Sequence, residues 1–314
     1  MKRLSSSLSS VKAGNWSAGN WSARNWSAGK WFAGIAAIVM VCAIAASWSA
    51  TNASGTNATA SPSPQFTLKP IPFSALHHSW QPPRIRNSNG TSLNWSGYAV
   101  LGAASAPVKP KKTAPAPTVS DVSGSWVVPS VVASASANTY SSSWVGIDGY
   151  SSGTVEQIGT AQDWANGAPL YYAWFEMYPK GAYEIVGFPV HPGDTISAAV
   201  EYLGAKGAFA LTITNLTDSV TFSTTLRSQS ARRLSAEWIQ EAPWWGGVLP
   251  LANFGTIDFS DCYATMNGHT GTISDPAWQL DAITMVASDG VTVKAQPSDL
   301  SADGSSFSVT WYNE

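Results

Sequence analysis

The chain has 314 residues, of which 44% are hydrophobic and 11% charged, and its formal net charge is −2. Residues 1–93 contain eight basic and no acidic residues, whereas residues 94–314 contain nine basic and all 19 acidic residues, a formal charge of −10. We expect no nucleic-acid partner for this chain. Protonation of its carboxylates reduces their repulsion, so the acidic body should tolerate low pH better than neutral pH.

Residues 1–50 have the composition of an export leader. An Asn-Trp-Ser-Ala repeat begins at Asn15, Asn20 and Asn25, and its period of five residues is too short to form a folded unit. Residues 32–46 are uncharged and apolar and are followed by small residues, which favours a signal peptide over a membrane span. We therefore expect a secreted protein. The alternative is that residues 32–46 remain as an uncleaved anchor.

Residues 51–92 are rich in Ser, Thr, Asn and Pro, a composition that buries little and is typical of a linker or propeptide. The charged residues of this segment are basic, namely Lys69, Arg84 and Arg86, and it also carries His77 and His78. We expect the segment to bind the acidic body as an intramolecular inhibitor near neutral pH and to be released as the body's carboxylates protonate. A solvated linker with two incidental histidines is the alternative.

Residues 93–314 are predicted to form one antiparallel β domain and to act as a monomer. Short runs rich in β-branched and aromatic residues recur about every ten residues between turn-forming residues, which is the pattern of a two-sheet β-sandwich. The predicted strands lie near 94–102, 119–128, 140–148, 155–160, 170–178, 194–203, 207–214, 219–226, 233–240, 254–261, 278–286, 291–296 and 305–312.

The body has few residues of the types that bind a metal or another cofactor. Cys262 is its one cysteine, so it has no internal disulfide, and its two histidines, His191 and His269, lie in apparent turns beside Pro or Gly. The sequence contains no His-x-x-x-His motif and no cysteine pair that would indicate a metal site. We expect neither a metal nor another cofactor.

Five motifs follow one another along the body: NWSGYA from Asn94, WVGIDG from Trp144, VEQIGT from Val155, YAWFEMYP from Tyr172 and AEWIQE from Ala236. In this order they resemble the glutamic peptidases, or eqolisins, which are acid-acting endopeptidases that pair a glutamine with a glutamate. The resemblance extends from about Asn94 to near the C-terminus. It implies a sandwich related to the legume-lectin jelly roll, with a protein or peptide substrate lying across the concave sheet.

Residue chemistry independently favours a Gln and Glu pair for amide hydrolysis in acid. Such a reaction needs a base that is still partly ionised, and a glutamate near its usual pKa of about 4.3 meets that need. A glutamine amide stays neutral and can stabilise the oxyanion of the tetrahedral intermediate. The resemblance assigns these roles to Glu241, as general base and then general acid on water, and to Gln157.

Glu241 has a competitor in Glu237, four residues earlier. Residues an even number apart on a strand share a face, so alternation alone does not separate the two glutamates. The family's pattern implies that the second glutamate is catalytic. It usually continues with Asp-Phe, where this chain has Ala242 and Pro243.

Six further residues match family positions that line the cleft or support the pair: Trp95, Trp144, Asp148, Trp174, Glu176 and Tyr178. The alternative for the aromatic residues is core packing, and for Asp148 it is a turn. We expect Asp148 and Glu176 to tune Glu241 by charge and hydrogen bonding. Fungal relatives carry an acid where this chain has Tyr172, which predicts one carboxylate fewer beside the pair.

The sequence signature of the aspartic peptidases is absent. There is no pair of Asp-Thr/Ser-Gly turns, so pepstatin should not inhibit. A secreted carbohydrate-active or carbohydrate-binding β-sandwich remains the alternative function, although the usual carboxylate pattern of such glycosidases is absent.

Overall fold

The structure, a computed structural model, describes residues 64–71, 86–88, 90–102 and 118–314. The predicted leader at 1–50 lies outside the described residues. So do His77, His78 and much of the rest of segment 51–92. Within the described residues, no helix has the length and apolar character needed to cross a membrane.

The described residues form an all-β fold with one short 3₁₀ turn, Ala205–Gly207. In chain order the strands are β1 (Thr67–Pro70), β2 (Arg86–Ser88), β3 (Thr91–Ser92), β4 (Trp95–Gly102), β5 (Val119–Val127), β6 (Ser142–Ile147), β7 (Val155–Ala165), β8 (Ala168–Tyr178), β9 (Tyr183–Val186), β10 (Thr195–Tyr202), β11 (Ala208–Asn215), β12 (Val220–Arg227), β13 (Ser235–Glu241), β14 (Thr256–Met266), β15 (His269–Thr272), β16 (Trp278–Val286), β17 (Val293–Pro297) and β18 (Phe307–Trp311). Every predicted strand is present.

The strands build two sheets. The first has the order β1, β9, β8, β7, β6, β13, β4, β16. The second has the order β12, β11, β10, β5, β14, β18, β17, and β15 extends it as a hairpin from β14. Strand β16 belongs to both sheets, because residues 278–283 pair with β4 whereas Met285 and Val286 pair with β17. All pairings are antiparallel except that of β3 with β16, which confirms the predicted sandwich.

Alternation along the strands gives the first sheet two different faces. Its inner face packs against the second sheet in the main hydrophobic core, where Trp238 of β13 lies in one cluster with Trp126 of β5. A separate, smaller cluster covers the outer face and contains Trp95, Trp144 and Trp174. These tryptophans are therefore packing residues, and the same packing places them on the face that carries the candidate site.

Two Asn-Gly pairs close hairpins that the sequence prediction missed or shortened. Asn166 and Gly167, between β7 and β8, have φ angles of 53° and 80°, and Asn267 and Gly268, between β14 and β15, have 51° and 80°. Left-handed φ at both central residues is the conformation that favours Asn-Gly in two-residue hairpins. The first turn lets β7 continue to Ala165, beyond the predicted end at residue 160.

Segment 51–92 contributes more to the fold than its composition predicted. Strand β1 pairs antiparallel with β9 at the edge of the first sheet. The N–H of Ile71 donates to the carbonyl of Ala182 at 3.0 Å, and the Ile71 side chain is buried in the outer-face cluster. Backbone pairing with β9 forms this strand despite the surrounding Ser- and Pro-rich sequence.

Candidate active site

Gln157 and Glu241 both lie on the outer face of the first sheet. Gln157 is on β7 and Glu241 on β13, and β6 runs between these two strands. In the register, Gln157 is opposite Glu176 on β8, and Glu241 is opposite Trp95 on β4. The two residues are thus brought to one face by strands that are far apart in the chain.

The carboxyl group of Glu241 is held at both oxygens. The Trp144 indole N–H donates to Oε2 at 2.8 Å, and Asn94 Nδ2 donates to Oε1 at 3.0 Å. The side chain is 5% exposed. Burial raises the pKa of Glu241 to about 8, while the polar N–H groups of Trp144, Trp95 and Asn94 lower it and offset part of the effect.

Two glycines make room for Trp144 on this face. A Cβ at Gly159 would lie 2.6 Å from Trp144 Cβ, and one at Gly146 would lie 2.9 Å from Trp144 Cζ3. Either distance is too short for a real side chain. The glycines therefore allow the indole to lie over β6 and β7 and to donate to Glu241.

Gln157 forms a cross-strand pair with Glu176. Its Nε2 donates to Glu176 Oε2 at 2.8 Å, and Gln157 Oε1 has no hydrogen-bond partner among the described residues. Burial raises the pKa of Glu176 well above its usual value, the charge of Glu241 raises it further, and the Gln157 amide lowers it. Glu176 is therefore shifted by Glu241 and stays protonated in acid, but it is not among the groups that shift the pKa of Glu241.

Comparison with known proteins shows to which protein family the chain belongs. The family model of the Peptidase A4 family matches residues 94–311. The chain belongs to this family. Aspergillopepsin-2 of Aspergillus niger is 28% identical over 255 residues, covering 72% of this chain and 82% of that protein. Scytalidopepsin B of Scytalidium lignicola is 28% identical over 193 residues, covering 58% and 67%.

A crystal structure of scytalido-glutamic peptidase with a transition state analog inhibitor has a similar fold. It superposes with a TM-score of 0.55 at 25% identity and covers 70% of this chain and 98% of that chain. The present chain is thus a glutamic endopeptidase of the A4 family, and the carbohydrate-active alternative is set aside.

Tyr172 of this A4 peptidase stands beside a carboxylate after all. Its hydroxyl donates to Asp163 Oδ2 at 3.2 Å, and Asp163 Oδ1 accepts from the N–H of Ser141. Burial raises the pKa of Asp163 to about 8. Tyr172 therefore contacts a buried carboxyl on the neighbouring strand β7, which the sequence analysis did not select.

Asp148 lies at the other end of the outer face, and its hydrogen bonds hold a loop. Its Oδ2 accepts from the N–H groups of Arg232 and Arg233 at 2.7 and 2.6 Å, and its Oδ1 accepts from Leu234 at 2.9 Å. The residue has a left-handed φ of 73°, as expected of a turn aspartate. Its charge raises the pKa of Glu156 and Glu237, and it is not among the groups that shift Glu241.

The remaining predicted residues divide between the two ends of the site. Trp174 is opposite Gly159 in the register, next to Trp144. Tyr178 is opposite Val155, and its pKa is raised by burial and by the charge of Glu176. Glu237 is on the outer face of β13 between Ala99 and Gly146. Burial raises the Glu237 pKa well above its usual value.

Among the described residues, one group could offer ligands to a metal ion. It consists of His191, Asp194 and Asp218, whose ligand atoms lie within 4.8 Å of one another. Asp194 Oδ2 already accepts hydrogen bonds from Asn215 Nδ2 and from the N–H of His191, both at 2.8 Å. These residues belong to the turns before β10 and after β11, not to the strands of the candidate site.

Proposed function

We propose that this chain is a secreted acid endopeptidase in which Glu241 and Gln157 hydrolyse peptide bonds of protein substrates. The observation that carries the proposal is the outer face itself, where a fixed glutamate and a glutamine with an unused amide oxygen are separated by one glycine-containing strand. Family membership supports the reaction class.

The sequence predicts that Glu241 starts the reaction as a partly ionised base. Its raised pKa changes this expected protonation state. At acid pH, well below about 8, the carboxyl carries a proton. We therefore propose that Glu241 gives this proton to the substrate's carbonyl oxygen as water adds to the carbonyl carbon. The resulting carboxylate then takes a proton from the added water, so Glu241 acts as an acid first and as a base second.

Collapse of the intermediate uses the same carboxyl again. Glu241 gives a proton to the leaving nitrogen, the C–N bond breaks, and one hydroxyl of the intermediate returns its proton to Glu241. Gln157 can accept a hydrogen bond from the attacking water at Oε1 and donate one from the second N–H of its amide. No covalent bond to the protein forms at any step.

Substitution of the pair tests the proposal against a matched control. Glu241→Gln should reduce hydrolysis of a denatured protein at pH 3–4 to background, because acid–base catalysis contributes about 10²- to 10⁴-fold. Gln157→Ala should cost about 10²- to 10³-fold.

Glu237→Gln is the control, since Glu237 is a second buried glutamate on the outer face of the same strand. It should retain near-wild-type turnover, and pepstatin should inhibit neither this variant nor the wild-type enzyme. If Glu237→Gln loses activity and Glu241→Gln retains it, the catalytic glutamate is Glu237 and the proposed role of Glu241 is wrong.

We further propose that residues 32–46 direct export and that segment 51–92 inhibits the monomeric precursor. The pairing of β1 with β9 and the burial of Ile71 in the cluster that contains Trp144 and Trp174 support inhibition, because residues 67–71 thereby contact the sheet that carries Gln157 and Glu241. The ion pair between Lys69 and Glu184, at 3.0 Å, adds a contact that weakens when the carboxylate protonates.

A further inference from the structure

Asn94 is tied to the catalytic strand through its backbone. It directly precedes β4, whose first residue, Trp95, is opposite Glu241 in the register. The N–H of Ala242, the residue after Glu241, donates to the carbonyl of Asn94 at 2.8 Å. Asn94 is 1% exposed, so its side chain is enclosed at the level of the Glu241 carboxyl.

Ser92 determines which end of the Asn94 amide faces Glu241. The N–H groups of Asn94 and Trp95 donate to Ser92 Oγ at 3.3 and 3.2 Å. Neither of these bonds uses the hydroxyl's single proton, which Ser92 Oγ donates to Asn94 Oδ1 at 3.0 Å. Because the oxygen end of the amide receives this proton, the NH₂ end must face Glu241.

The two donors to Glu241 then act as a clamp. Asn94 Nδ2 binds Oε1 and Trp144 Nε1 binds Oε2, so each carboxyl oxygen has its own donor, one directly before β4 and one on β6. Loss of Asn94 would remove the donor at Oε1 and let the carboxyl group rotate more easily about its terminal torsion, which has a broad energy minimum.

We infer that Asn94, oriented by Ser92, is a positioning residue that holds the Glu241 carboxyl in its reactive orientation. The inference rests on the proposed role of Glu241. It predicts an effect on the chemical step and not on substrate affinity, because Asn94 contacts the acid and is oriented by Ser92 of β3. It also predicts that loss of Asn94 raises the pKa of Glu241, since the Asn94 amide lowers that pKa.

Asn94→Ala in the full chain, after maturation, should lower kcat about 10- to 100-fold while KM stays within about threefold, the range typical of groups that orient a reactive residue. The high-pH limb of the kcat/KM profile should move to higher pH. Asn94→Asp retains the acceptor for Ser92 but replaces the donor with a carboxyl, so it should move the limb at least as far.

Two further variants separate positioning from structural damage. Ser92→Ala should cause a smaller loss of kcat, and the double variant with Asn94→Ala should be no worse than Asn94→Ala alone, because both act on one contact. Asn215→Ala removes another buried asparagine that donates to a carboxylate, Asp194; it should leave the pH profile unchanged.

The inference is overturned if Asn94→Ala and Asn94→Asp keep kcat within threefold and the same high-pH limb, or if KM alone rises. It is also overturned if Asn215→Ala shifts the pH profile as much as Asn94→Ala. Glu241→Gln decides the underlying proposal separately. An active Glu241→Gln enzyme refutes the proposed function, whereas an inactive one combined with a normal Asn94→Ala enzyme refutes only the positioning role.

Discussion

At the residue scale, burial and hydrogen bonding act on Glu241 in opposite directions. Burial dominates and raises the pKa to about 8, although the N–H groups of Trp144, Trp95 and Asn94 favour the ionised form. A carboxyl in this state is a proton donor throughout the acid range. The pH dependence of the reaction then depends on whether the first step needs the protonated or the ionised form.

We expect the titration of Glu241 to leave kcat/KM of the processed enzyme unchanged in acid and to lower it as pH rises through about 8. The reason is that the protonated form of Glu241 acts first. The measurement is kcat/KM on a peptide substrate from pH 3 to 9, with folding monitored at each pH. A tenfold rise per pH unit between pH 4 and 7 would instead show that the ionised carboxylate starts the reaction.

Sequence patterns could select Gln157 and Glu241 as candidates but could not select the groups that hold them. Both residues lie inside motifs with a characteristic order, whereas the contact of Asn94 with Glu241 joins residues 147 positions apart. Asn94 precedes the strand, so alternation says nothing about its side chain. Asp163 was missed because β7 was predicted to end at residue 160, although the Asn-Gly pair at 166 and 167 indicates a longer hairpin.

At the element scale, the long strands could be predicted and the short ones could not. Thirteen runs of β-branched and aromatic residues all became strands. The unpredicted strands β1, β2, β3, β9 and β15 have two to four residues each. Strands this short depend on a neighbour's free edge more than on their own composition. Strand β1 shows the consequence, since its pairing with β9 joins residues 67–70 of the predicted propeptide to the sheet that carries the candidate site.

The contacts of β1 suggest that charge contributes little to its binding. The Lys69 side chain is 64% exposed, and such surface ion pairs contribute about 0–1 kcal/mol. Ile71→Asp in the full chain should therefore release the segment, because it places a charge in the outer-face cluster. The precursor should then shorten at pH 6, as followed by gel electrophoresis and N-terminal sequencing.

Leu68→Asp is the matched control, because Leu68 lies on the same segment and is 46% exposed. That precursor, and Lys69→Ala, should stay intact and inactive at pH 6 like the parent. An Ile71→Asp precursor that remains as inactive as the parent would show that docking of β1 is not what inhibits the enzyme.

At the scale of the whole molecule, buried carboxyls make the fold sensitive to rising pH. Burial raises the pKa of Glu156, Asp163 and Glu241 to about 8, and those of Glu176 and Glu237 well above their usual value. In the unfolded chain these groups titrate near 4. Between that pH and the folded pKa, the folded state binds more protons, so stability is complete at low pH and decreases as pH rises.

We expect the Tm of the processed enzyme to be highest near pH 4 and to fall progressively towards pH 8. Over this range the folded state keeps protons that the unfolded chain has lost, so stability falls with each unit of pH. Scanning calorimetry over this range measures the slope, which should be shallower in Glu237→Gln because this variant lacks one titrating group. A Tm that rises from pH 4 to 8 would contradict the assignment.

The enclosed amide of Asn94 also bears on how the enzyme can be produced. Asn94, Trp95 and Ser96 form an Asn-x-Ser acceptor for N-linked glycans, and Asn215, Leu216 and Thr217 form an Asn-x-Thr acceptor. A glycan would attach to the same nitrogen that donates to Glu241 in the first case and to Asp194 in the second. Because Asn94 is 1% exposed and Asn215 is fully buried, the native fold leaves no room for a glycan at either position, so oligosaccharide transfer to the unfolded chain and native packing are mutually exclusive. A eukaryotic secretory host would divide the product between modified, inactive chains and unmodified, active ones, whereas a host without this transferase would yield a single population.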